Sequence, residues 1–137
     1  MKGNNFEQYA LEKAVADTLR AAGVSANVFL NRPRSSERTL TDFVVCRIAG
    51  NIRDRAALGE CVFNISLFAR DIENMKNGKK LSILQDKLYT ALPYEVDKIV
   101  FKPYSFTVVG DAPDGNGYHA RIVNISAFIK PGTKKTD

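Results

Sequence analysis

The sequence predicts an α+β fold, with a mixed, largely antiparallel sheet and two helices packed on one of its faces. Three features carry this prediction. Two stretches repeat their apolar residues at helical spacing, several others alternate with period two, and the strand-like stretches follow one another in runs rather than alternating regularly with helices. Each helical stretch has a single apolar stripe, so each needs a surface on which to bury it.

The first helix is expected from Phe6 to Ala22. Leu11, Val15 and Leu19 recur with Ala14 and Ala22 beside them, while Glu7, Glu12, Lys13, Asp17 and Arg20 fall elsewhere. Asn5 suits its N-cap, and Gly23 suits the left-handed residue that ends it. A short extended run from Asn27 to Leu30 opens into a polar, basic loop, Asn31 to Thr41. From Asp42 to Ala49 apolar residues occupy both faces of a strand, which implies burial on both sides or a partner on one. Gly50 to Gly59 reads as a connection. Glu60 to Arg70 then alternates cleanly, with Cys61, Phe63, Ile65, Leu67 and Ala69 on one face and Val62, Asn64, Ser66, Phe68 and Arg70 on the other.

Asp71 to Lys80 is a polar linker with Asn77-Gly78 as its turn. The second helix is expected from Leu81 to Leu92, stopped by Pro93. The remainder is strand patterned: Ile99 to Lys102, Tyr104 to Val109, a hairpin loop containing Gly110, Gly115 and Gly117, and Tyr118 to Lys130. The 137 residues, 45% of them hydrophobic, suffice for one core. One domain over residues 1–130 is expected, followed by a charged, disordered tail over residues 131–137.

Composition narrows the chemistry. Two cysteines, Cys46 and Cys61, exclude a disulfide framework and a four-cysteine zinc site. The single histidine, His119, has no second histidine for a metal pair or a relay and reads as a rim residue. The glycines around Gly115 lie between two strand patterns, whereas a phosphate cradle needs a helix N-terminus after them. Neither Glu95, Asp97 and Lys98 nor Asp71, Glu73 and Lys76 has the strand-borne framing of a metal-dependent nuclease. The sequons Asn64-Ile65-Ser66 and Asn124-Ile125-Ser126 fall in strand patterns without a secretory signal, so neither reads as a glycan acceptor. No apolar stretch approaches the roughly 18 residues of a spanning helix, so a soluble protein made in a cytoplasm, with no membrane partner, is expected.

Twenty Lys and Arg against fifteen Asp and Glu give a formal charge of +5. That permits a nucleic-acid partner without requiring one. Much of the charge sits in loops and in the tail, while the strands are nearly free of it.

One strand pattern occurs twice. Val62-Phe63-Asn64-Ile65-Ser66-Leu67-Phe68-Ala69-Arg70 matches Ile122-Val123-Asn124-Ile125-Ser126-Ala127-Phe128-Ile129-Lys130 at its Asn, Ile, Ser and Phe positions and in its basic end. Phe63, Ile65, Leu67, Val123, Ile125, Ala127 and Ile129 would face the helices. Asn64, Ser66, Phe68, Asn124, Ser126 and Phe128 would face away, joined by Ser105 and Thr107 if Phe106 and Val108 turn inward. This second face is polar yet nearly uncharged, unlike a freely solvated sheet face, and suits coverage by another chain. The alternative is an ordinary solvated face on which Thr, Ser and Asn are tolerated.

The order of elements resembles the tail terminator, or tail completion, proteins of long-tailed bacteriophages and prophages. The resemblance rests on the helix Phe6 to Ala22, the Val28-Phe29-Leu30 strand with its basic loop, and the strand Phe43 to Ile48. It continues through the long strand ending Ser66-Leu67-Phe68-Ala69-Arg70-Asp71, the helix Leu81 to Leu92 and the final hairpin. It implies a non-enzymatic minor tail protein with no cofactor, which assembles as a homo-oligomeric ring, typically a hexamer. The ring would cap the tail tube protein and meet the head-tail connector protein. The place implied is the virion tail, assembled in the bacterial host cytoplasm. Loops Asn31 to Thr41 and Gly50 to Gly59 would supply tube or connector contacts through Arg32, Arg34, Arg38, Arg53 and Arg55, whose alternative is solvated loop charge.

Two other classes compete. A nucleic-acid-binding α+β domain would interleave exposed aromatics with Arg and Lys on the sheet; Phe68 and Phe128 are the sole aromatics expected there, so direct binding is not expected. A small hydrolase or nuclease lacks a defensible acid, histidine or thiol constellation.

Overall fold

The structure, a computed structural model, describes residues 7–31, 40–55, 58–102 and 105–131, with residues 54 and 55 described by backbone alone. Its elements run α1 (Gln8–Ala21), β1 (Val28–Phe29), β2 (Asp42–Arg55), β3 (Leu58–Arg70), α2 (Gly78–Ala91), β4 (Glu95–Val96), β5 (Ile99–Phe101), β6 (Thr107–Pro113) and β7 (Tyr118–Ile129). The seven strands form one sheet in the order β1-β2-β3-β7-β5-β4, with β6 also paired to β7. Only β1 and β2 run parallel; the other pairs are antiparallel. The fold is the expected α+β type.

Helix α1 buries Leu11, Val15, Ala16 and Leu19. It ends as expected at Gly23, whose φ of +80° is open to glycine without strain. There the Gly23 amide donates to the Arg20 carbonyl and the Val24 amide to that of Leu19, the paired bonds of a Schellman ending. Asn5, the expected N-cap, lies outside the described residues, and Glu7 stands at the cap without a side-chain bond.

Helix α2 starts earlier than its apolar residues suggest. Asn77 Oδ1 accepts the Lys80 amide at 3.1 Å, so the expected Asn77-Gly78 turn is instead a capped helix start. Leu81, Leu84 and Leu88 face the sheet from α2. Both helices share one core with Val44, Cys46 and Ile48 of β2, with Phe63, Ile65 and Leu67 of β3, and with Val123, Ile125 and Ile129 of β7. The two helices therefore pack on the same face.

The expected connection Gly50 to Gly59 is replaced by strand. β2 and β3 continue as a hairpin arm through pairs such as Arg53 with Glu60, after a bulge between Ala49 and Arg53. The bulge turns Ile52 toward the main core. The expected strand Tyr104 to Val109 begins at Thr107 and runs on to Pro113, past a second bulge between Val108 and Gly110. Phe106 packs on the core as expected, but Val108 is 41% exposed beside that bulge. The glycine loop shrinks to the turn after Pro113, where Asp114 Oδ1 accepts the Asn116 and Tyr118 amides.

Candidate subunit interface

The face of the sheet opposite the helices has two parts. At one end, Phe43, Val45, Phe68, Tyr118 and Ala120 form a second, smaller core, packed by Phe29 and Leu40. The Phe43 and Phe68 rings stack at 4.3 Å, Tyr118 meets Phe43 edge-on at 5.1 Å, and the Tyr118 hydroxyl donates to the Leu40 carbonyl at 2.6 Å. Phe68 thus lies on the expected face but is buried there at 7% exposure, so it is a core residue and offers a partner almost no surface.

Beyond this cap the face is half-buried and polar. Register places Asn64 opposite Asn124, Val62 opposite Ser126 and Ser66 opposite Ile122. Asn64 Nδ2 donates to Asn124 Oδ1 at 3.1 Å, and the Ser66 hydroxyl donates to Asn64 Oδ1 at 3.2 Å. Asn64, Ser66, Asn124, Ser126 and Phe128 are all half-buried, brought together on β3 and β7 as the repeated sequence suggests. Phe128 is crossed by Lys102, whose Nζ lies 4.4 Å from the ring centroid and pairs with Glu60.

A gap in the ladder is closed on this side by a side chain. β5 pairs with β7 up to Ala127, and β6 pairs from Asn124 onward. Between them the Ser126 amide donates to Ser105 Oγ at 3.1 Å and the Ser126 carbonyl accepts the Lys102 amide at 2.9 Å. A buried strand amide would otherwise lack a partner.

The basic candidates do not gather. Arg32, Arg34 and Arg38 lie outside the described residues, and Arg55 is placed only as backbone at the end of β2. Arg53 is exposed on the hairpin arm, near a shallow recess of about 380 Å³ lined by Asn51, Glu60, Val62 and Ser126. Sequence reasoning passed over Arg47, which stands exposed on β2 in register with Asn64 and is the exposed cation nearest the polar face.

The other titratable groups serve the scaffold. Asp111 on β6 holds Arg121 through two bonds of 2.7 and 2.8 Å, Lys76 adds a third, and Arg121 continues to Gln85 of α2 at 3.0 Å. The Arg121 guanidinium holds the Asp111 carboxyl down at about 2. His119 Nδ1 lies 2.7 Å from Asp71, whose amide donates to Gly117, so the histidine ties the end of β3 to the β6–β7 turn. Burial pushes both the Cys46 and Cys61 thiols up to about 12, which leaves them without thiolate at neutral pH. Among the described residues no group of three or more His, Cys, Asp or Glu could hold a metal ion, and no helix is long and apolar enough to cross a membrane. The chain matches no protein-family model, and no curated protein is significantly similar to it.

Proposed function

We propose that the chain is a structural tail protein of a long-tailed phage or prophage, a ring-forming terminator subunit that caps the tail tube and joins it to the head connector. The observation that carries this reading is the sheet face around Asn64 and Asn124. No helix covers it among the described residues, and its polar positions are amides and hydroxyls rather than the Lys and Glu of a solvated sheet. Such a surface suits burial against protein. The exposed charge falls on the helices and connections around it, where Lys13, Arg20, Lys79 and Lys87 stand in solvent.

Native mass spectrometry combined with negative-stain electron microscopy tests this. Rings with a central hole, which bind the end of a tube of tail protein, are the expected result. A chain that stays monomeric alone and in the presence of tubes overturns it. Tight binding to duplex or single-stranded DNA that weakens steeply with salt would favour a nucleic-acid role instead.

A further inference from the structure

The repeated strand does more than recur: the two copies pair with each other, and they do so symmetrically. β3 and β7 are antiparallel, with Asn64 opposite Asn124. A local two-fold axis normal to the sheet therefore passes between these two asparagines. It exchanges Asn64 with Asn124, Ser66 with Ser126, Val62 with Ile122 and Phe68 with Phe128. The register bears this out, since Val62 faces Ser126 while Ile122 faces Ser66.

The symmetry is broken in the hydrogen bonds. Asn64 Nδ2 and the Ser66 hydroxyl are engaged, whereas Asn124 Nδ2 and the Ser126 hydroxyl donate to nothing among the described residues. Half of a symmetric set of polar groups thus stands with its donors directed out of the sheet.

Resting on the reading of this face as a subunit contact, we propose that what covers it is the same face of a second copy, stacked sheet on sheet about a two-fold axis that runs along the strands between β3 and β7. A surface with an internal two-fold is complementary to itself once a second two-fold is added in its plane, because amides then meet amides and Val62 and Ile122 meet the small Ser126 and Ser66. Two in-plane axes satisfy this pattern, and charge selects between them. An axis across the strands would set Arg47 of one copy on Arg47 of the other. The axis along the strands sets Arg47 over Thr107, in register with Asn124 on the opposite side of the sheet. Asn64 of one copy then lies over Asn124 of the other, where the donors of Asn124 find acceptors. The contact closes on itself, so any larger ring is a ring of pairs joined by a second contact.

Cross-linking tests it on the full chain. Asn64→Cys and Asn124→Cys are prepared separately, one of them tagged, mixed, and treated with a short bismaleimide; both native thiols are buried and inert. The mixed pair is expected to cross-link at several times the yield of a control placed on α1, Lys13→Cys. Adding Ser126→Arg to both chains should reduce this at least tenfold, with circular dichroism confirming an unchanged fold. If Ser126→Arg disperses an oligomer but the 64–124 cross-link never forms, the face is a subunit contact of another geometry and the two-fold stacking is overturned. If the chain neither cross-links nor changes mass with Ser126→Arg, both the stacking and the reading of this face as an interface fall.

Discussion

Glu12 reaches from α1 to the outer edge of β2, where its Oε2 accepts the Ile48 amide at 2.7 Å. Strand β1 covers that edge only at Val44 and Val45, so the carboxylate takes over where β1 stops. It satisfies a buried amide and places a charge on an edge that could otherwise pair with another chain. Glu12→Ala should cost about 1–3 kcal/mol in urea unfolding and raise aggregation at micromolar concentration. Glu12→Gln, which keeps an acceptor, should lose less than half as much.

Acid should weaken the clamp between β6, β7 and α2. The Asp111 carboxyl is held down from 3.8 to about 2 in the folded chain by the Arg121 guanidinium first and Lys76 second. A lowered folded value means that its stabilisation is fully present above the unfolded value and is lost as pH falls through the folded one. The window is therefore between about pH 4 and pH 2, and after screening by solvent the loss is roughly 1 kcal/mol. Calorimetry should show Asp111→Asn less stable than wild type at pH 6 and nearly equal to it near pH 2.

The aromatic cap can be separated from the main core by substitution. Tyr118→Phe removes only the hydrogen bond to the Leu40 carbonyl and should cost about 0.5–1.5 kcal/mol. Phe43→Ala opens a cavity between Phe68, Tyr118 and Phe29 and should cost about 3–5 kcal/mol. Chemical denaturation of both variants checks the ratio; equal losses would mean that the rings contribute little packing.

The two cysteines should report on unfolding. Both are buried, with thiols at about 12, so iodoacetamide at pH 8 should modify neither within an hour in native buffer. Both should react within minutes in 6 M guanidinium.

What the sequence reveals here is local. Gly23 ends α1 because the left-handed position is a one-residue requirement, and the alternation from Glu60 to Arg70 is a strand because its two faces differ in polarity. The arm from Gly50 to Gly59 hid its strand character because a two-stranded hairpin that buries little does not need alternation. α2 hid its first turn because Gly78, Lys79 and Lys80 carry no apolar residue and only the Asn77 cap marks the start. The aromatic cap was invisible, since Phe29, Phe43, Phe68 and Tyr118 come from four separate strands and meet only once register is set. At the candidate interface the repeat made the shared face legible. Its pairing about Asn64 and Asn124 was not, because strand order depends on contacts distant in sequence.

The central position of β7 also governs the order in which the chain can fold during synthesis. β3 leaves the ribosome with β2 as a finished hairpin, yet its other edge waits for β7, with α2, β4, β5 and β6 emerging in between. Throughout that interval Phe63, Ile65 and Leu67 lie along an open strand edge. Slow translation between Asp71 and Gly117 should therefore lengthen exposure to aggregation, and a holdase chaperone should raise the soluble yield most for chains released before Tyr118.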